Sequence, residues 1–148
     1  MTRRQARILA MELIFDYEFN RESDVRDRIR LAEENRGVEA DDFTRSLFFA
    51  AAEHIKEIDD VIAACAANWS FTRITVLAKS VMRICIAELL YLGTPEEIAV
   101  NEALEIMKMY DDDKARAFVN GVLGGVISVL HGQGRLAACN DDAGREKT

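Results

Sequence analysis

Proline occurs once in these 148 residues and glycine only eight times. Long flexible linkers are thereby excluded, and the loops are expected to be short. Aromatic residues are sparse at 7%. The apolar stretches rely instead on Ala, Leu, Ile and Met, residues that suit helices better than sheets. The three cysteines, Cys65, Cys85 and Cys139, form an odd set without C-x-x-C spacing, so neither a disulfide framework nor a zinc site is expected. Cys65 and Cys85 fall inside apolar helical patterns and read as small core residues. No signal-peptide core follows the N-terminal arginines, because Glu12, Asp16 and Glu18 interrupt the stretch. No run is read as a membrane span, and a reduced, cytoplasmic setting is expected. Positive charge is also in deficit. The formal net charge is −7 and the sequence pI about 4.9, which argues against a generic nucleic-acid binder. Any RNA contact must come from a local basic patch or from a basic partner.

What the chain does have is apolar periodicity. Hydrophobic residues make up 49% of it, ample for one domain or for two small helical halves sharing a core. Ala6, Leu9, Ala10, Leu13, Ile14 and Tyr17 recur at three- and four-residue steps and predict a helix over Arg3 to Phe19. Ser23 or Asp24 caps a second helix ending at Arg36, with Val25, Ile29 and Ala32 inward and Gly37 as its stop. Asp41 to Asn68 reads as one long helix with a bend in the middle, closed by Trp69 to Thr72. Thr72 is the expected cap of a helix from Arg73 to Leu92 that is apolar almost all round, and therefore central. Thr94, Pro95 and Glu97 carry the pattern of a capping box for a helix running to Tyr110. Asp111 to Asp113 open the last helix, whose stripe runs from Ala115 to Leu130 before Gly132 and Gly134 end it. No strand-like alternation occurs, and the fold class is all-α. The ordered domain is expected over residues 1–132, with a disordered tail over 133–148.

Candidate functional residues are few. Arg3, Arg4 and Arg7 are read on the polar side of the first helix, where guanidinium forks suit phosphates and base faces. Three phosphate contacts would give a log–log salt slope near about −2 for a single strand, which is weak binding alone. Phe118 begins an apolar stripe; at a rim its ring could stack an unpaired base. Asn120 is expected to be buried and hydrogen-bonded to a neighbouring helix, and Gly121, Gly124 and Gly125 to permit close helix approach. Glu88, Asn101 and Glu102 stand among apolar residues, as polar staples between helices would. No nucleophile–base set accompanies them. Glu53-His54-x-x-Glu57 lacks the order and second copy of a di-iron unit. Asp111 to Asp113 lack the glycine and terminal glutamate of a calcium loop, and no phosphate-binding glycine loop occurs. Neither an enzyme nor a cofactor or metal is expected.

The order and spacing of several segments resemble the NusB transcription antitermination family. They are Arg3-Arg4-x-Ala6-Arg7, Ile58-Asp59 followed by Trp69, Arg83-Ile84-x-Ile86-x-Glu88-Leu89, Pro95-x-x-Ile98-Ala99-Val100-Asn101-Glu102-Ala103, Lys108, and Phe118-Val119-Asn120-Gly121-Val122-Leu123. The resemblance covers about Arg3 to Val129. It implies two packed helical bundles of about six or seven helices. It further implies pairing with NusE, a small-subunit ribosomal protein, recognition of single-stranded boxA RNA in ribosomal RNA transcripts, and loading of an antitermination complex on RNA polymerase. The acidic charge would then complement a basic ribosomal partner. On matching positions the resemblance assigns RNA contact to Arg3, Arg4, Arg7, Lys79 and Phe118. It assigns the partner surface to Phe15, Arg73 and Val76. Glu88, Asn101, Glu102, Asn120 and Gly121 belong to its structural pattern. Lys114-Ala115 and Ala117 depart from the acidic-Ser pair and the basic residue many relatives carry before Phe118; Arg116 is the replacement charge. Two alternatives stay open. One is a protein-only helical adaptor or homodimer; the other is a stand-alone relative of the RNA-binding domain of ribosomal RNA cytosine methyltransferases.

Overall fold

The structure is a computed structural model that describes residues 1–66 and 69–136. These residues form seven α-helices: α1 (Arg3–Glu18), α2 (Val25–Arg36), α3 (Asp42–Glu53), α4 (Ile55–Cys65), α5 (Val76–Ala87), α6 (Glu96–Tyr110) and α7 (Asp113–Gly132). Helix α5 lies between two bundles. On one side it packs with α1 and α3, which α2 covers; on the other it packs with α4, α6 and α7. Every residue from Ala78 to Ala87 is buried, so the all-round apolar helix is indeed central. No strand occurs among the described residues.

Local chemistry sets the helix ends. Thr2 and Gln5 form a reciprocal capping box at α1, with Thr2 Oγ1 accepting from Gln5 N at 3.0 Å and Thr2 N donating to Gln5 Oε1 at 2.7 Å. Asp24 caps α2, and Gly37 at φ +66° ends it in the left-handed region. Asp112 caps α7 through Ala115 N. The long helix expected over 41–68 is instead two helices. His54 sits at φ −109°, ψ 22° between them, and its ring stacks on Tyr91 with centroids 4.0 Å apart. The break lets α3 lie on α1 while α4 turns to α7.

Two expected caps are replaced. Thr72 lies in a single 3-10 turn, Phe71–Arg73. The cap of α5 is Thr75, whose hydroxyl accepts from Ala78 N at 3.1 Å. At α6 the N-cap position is Pro95 and no side chain caps it. Thr94 donates to the Glu88 carboxylate at 2.9 Å instead. A buried carboxylate needs donors more than an exposed helix end does, since water can serve the latter.

Helix α7 corrects the reading that no run resembles a membrane span. Asp113–Gly132 is long and apolar enough by length and composition, but its stripe of Val119, Val122, Leu123, Val126 and Leu130 is buried in this fold. The first four residues of the expected tail, Gln133 to Leu136, are described: Arg135 N donates to Leu130 O at 2.9 Å, and Leu136 joins the core. The remainder of that expected tail, with Cys139, lies outside the described residues.

Candidate nucleic-acid interface

The three N-terminal arginines are not equivalent. Arg3 is exposed, and its guanidinium lies 4.1 Å from the Phe43 ring centroid, a cation held by an aromatic face. Arg4 grips Glu102 of α6 with two parallel bonds, Nε to Oε1 at 3.0 Å and Nη2 to Oε2 at 2.9 Å. These bonds raise the Arg4 guanidinium further and hold the Glu102 carboxyl below the usual glutamate range. Arg7 is buried at 7% exposure, which corrects its placement on the polar face. Its Nε and Nη2 donate to Glu88 at 2.5–3.0 Å, and Glu102 stands 3.6 Å from its Nη1. The cause is the turn after α5. There Glu88–Leu92 widen into one π-helical turn that ends at Gly93, φ +72°, and Glu88 is buried inside. A carboxylate in that position requires a cation, and Arg7 on α1 supplies it. Chemically, Arg3 is open to an anion, Arg4 must exchange a carboxylate for one, and Arg7 holds the frame.

A second buried cation links α1, α4 and α5. The Arg83 side chain is fully buried. It donates to Asp59 Oδ1 and Oδ2 at 2.7 and 2.8 Å and to Glu18 Oε1 at 2.8 Å. Burial pushes Glu18 up, but the Arg83 and Arg21 bonds outweigh it and leave the carboxyl lowered. Phe71 covers this group, with its ring 5.9 Å from the Arg83 guanidinium and 4.2 Å from Lys79 Nζ. Lys79 is itself buried, its ammonium resting on an aromatic face. Arg73 is exposed and Val76 half-buried at the start of α5. Phe15 is exposed on α1 and packs on Phe19, ring centroids 5.8 Å apart.

Phe118 lies at the other end of α5 from Glu88. Its ring meets Trp69 edge-on at 5.7 Å, and both line a cavity of about 310 Å³ with Arg73, Ile74, Ala78 and Ala115. The structure therefore separates the sequence candidates into an arginine group on α1, an aromatic group at Phe118, and Lys79 with the start of α5. Asn101 and Asn120 are exposed. Neither is a buried staple, because each falls on the outward side of its helix. Of the glycines expected to admit close approach, only Gly125 does so: an added Cβ would meet Cys65 Cβ at 3.3 Å, while Gly121 and Gly124 face open space. Trp69, Phe43 and the Arg83 network escaped sequence reasoning as site features. A lone tryptophan in a polar loop was the available signal for the first.

Residues 4–128 match the model of the NusB family. The chain is 37% identical over 144 residues to the transcription antitermination protein NusB of Chloroherpeton thalassium, covering 91% of this chain and 68% of that protein. Among solved structures it resembles T. maritima NusB, with TM-score 0.73, 28% identity, and 85% of this chain and 90% of that one covered. It also resembles a chain of antitermination factors NusB and NusE in complex with dsRNA, with TM-score 0.74, 25% identity, and 87% and 99% covered.

Proposed function

The chain belongs to the NusB family, and from that premise we propose that it is a non-enzymatic antitermination factor that pairs with NusE and binds boxA RNA of ribosomal RNA transcripts. Together they load an antitermination complex on RNA polymerase in the cytoplasm. The RNA-binding unit spans residues 1–132, with Arg3, Arg4 and Phe118 toward RNA and Phe15, Arg73 and Val76 toward the partner, while Lys79, expected at the RNA, is buried on the Phe71 ring and supports the start of α5 instead. Arg7 acts by holding Glu88 rather than by reaching phosphate. The observation that supports this reading best is the likeness, over nearly the whole chain, to a protein solved with NusE and RNA. Chemistry adds to it. A net charge of −7 attracts a basic protein, and the two accessible arginines of α1 are too few to hold RNA alone.

Fluorescence anisotropy of labelled boxA RNA and a scrambled control, each with and without NusE at two salt concentrations, tests the proposal. NusE sharpening boxA binding, and Arg4→Ala weakening it, is the expected result. Absence of NusE binding together with equal affinity for both RNAs would overturn it.

A further inference from the structure

Trp69 is the only tryptophan of the chain, and it is 51% exposed in the loop before α5. A large aromatic left half in water is unusual unless something covers it. It does not stand alone. Phe118 of α7 braces it edge-on at 5.7 Å, and beside the pair opens the cavity of about 310 Å³, floored by Ile74, Ala78 and Ala115. Its lining is predominantly apolar, as a flat ring requires.

The rim is charged in both senses. Arg73 and Lys114 stand on it, both exposed, and neither forms a salt bridge among the described residues, whereas the exposed Arg4, Arg21, Arg26, Arg30 and Arg36 do. Asp111 and Asp112 share the rim. Each uses one carboxylate oxygen locally: Asp111 Oδ1 accepts from Asp112 N at 2.9 Å and Asp112 Oδ1 from Ala115 N at 2.8 Å. The second oxygen of each has no hydrogen-bond donor among the described residues. An apolar slot with an aromatic wall, unpaired cations for a phosphate and carboxylate oxygens for N–H donors matches a nucleotide better than an apolar side chain. An apolar side chain would use the wall but leave the four charges without a purpose.

Resting on the RNA-binding reading above, we propose that the Trp69–Phe118 cavity receives one unpaired RNA base bearing an exocyclic amino group. The base lies against the aromatic wall, Lys114 and Arg73 (reassigned from the partner surface to the RNA) hold its flanking phosphates, and the free oxygens of Asp111 and Asp112 accept from the amino edge. Adenine, cytosine and guanine present such donors. Uracil presents a single ring N–H between two carbonyl oxygens, which would face the carboxylates unfavourably. Asp111 and Asp112 are thus the specificity-determining residues, and Trp69 and Phe118 form a two-ring platform that stacks any base.

The lone tryptophan provides the readout. The full chain, with NusE, is titrated with short single-stranded oligoribonucleotides containing A, C or G at varied positions, and with oligouridylate. Label anisotropy reports binding and Trp69 emission reports occupancy of the cavity. Quenching of Trp69 by amino-bearing sequences but not by oligouridylate is expected. Trp69→Ala should weaken those sequences on the order of tenfold, with Trp69→Phe recovering most of the loss. Far-UV circular dichroism of both variants verifies that they fold. RNA binding without quenching, and unchanged in Trp69→Ala, overturns the cavity while leaving the RNA reading intact. Quenching by NusE alone makes the cavity a protein site and overturns the proposal. Absence of any RNA binding removes both.

Discussion

Replacing Arg7 by methionine separates a structural arginine from an RNA contact. The Arg7 side chain is 8% exposed and that of Glu88 1%, and Arg7 gives Glu88 three hydrogen bonds of 2.5–3.0 Å. In Arg7→Met the Glu88 carboxylate keeps the Thr94 hydroxyl at 2.9 Å but loses its cation. Leaving one member of a buried pair uncompensated costs about 3–5 kcal/mol, a large part of the roughly 5–15 kcal/mol that holds a domain folded. With a urea dependence of about 2 kcal/mol per molar, the unfolding midpoint should fall by about 2 M. Urea titration followed by far-UV circular dichroism, without RNA, measures it. The double variant Arg7→Met/Glu88→Leu should recover much of the loss, because an apolar pair leaves no buried charge behind. An Arg7→Met protein within about 1 kcal/mol of the parent, with RNA affinity nonetheless reduced, would refute the reasoning and return Arg7 to the RNA surface.

Thr94→Val should cost about 1 kcal/mol in the same titration, the loss of one buried bond to Glu88, whereas a Thr94 acting as helix cap would also fray α6 by hydrogen exchange. Glu18 and Glu102 are held below the ordinary glutamate value of 4.5, so the unfolded chain binds more protons than the folded one near that pH. Their stabilisation is complete above it and disappears as pH falls through the lower folded-state values, and melting scans should show a plateau from neutrality to about pH 5 and a decline below it. Gly121→Ala and Gly124→Ala meet open space on a helix and should stabilise by about 0.5–1 kcal/mol. Gly125→Ala, whose Cβ meets Cys65 at 3.3 Å, should gain less or lose; an equal gain at all three would refute the close approach of α7 to α4. With Arg7 buried, two phosphate contacts from the α1 arginines and two from Arg73 and Lys114 give a log–log salt slope of about −2.8 for this chain. A slope of about −1.4 would mean that the α1 arginines act alone, at about 0.7 for each of two contacts.

The sequence made the helices legible because their apolar stripes repeat without interruption. Gly37 and Asp112 also announced themselves, since each works through its own backbone or side chain. The features that escaped it depend on residues far apart in the chain. Thr94 looks like a cap until Glu88 is found beneath it, and Arg7 looks like a surface arginine until the π-helical turn brings the same carboxylate to it across 81 positions. Asn120 shows the converse. A polar residue between apolar neighbours reads as buried, yet one step along a helix turns by about 100° and can carry it to the solvent side. The Trp69–Phe118 platform joins the loop after α4 to α7, and no local spacing describes that encounter.

These placements change what the basic start of the chain can contribute to RNA binding. An arginine-rich helix on an acidic protein invites the view that the arginines are reserved for RNA, but two of the three have carboxylate partners within the fold. Arg4 can still exchange. If it leaves Glu102 for a phosphate, that carboxylate retains Arg7 at 3.6 Å, so the exchange strands no charge and its cost stays small. Arg7 cannot follow, because its departure would strand Glu88 in the core. The same network therefore sets a ceiling on the electrostatic attraction of this chain for RNA and makes one arginine conditionally available. Beneath that ceiling, affinity has to come from ring stacking at Phe118 and Trp69, from the unpaired Arg73 and Lys114 beside them, and from cations on a second protein. An acidic surface suits that division of labour: it repels RNA at random sites, draws a basic partner, and leaves binding to the places where rings and the few free cations coincide.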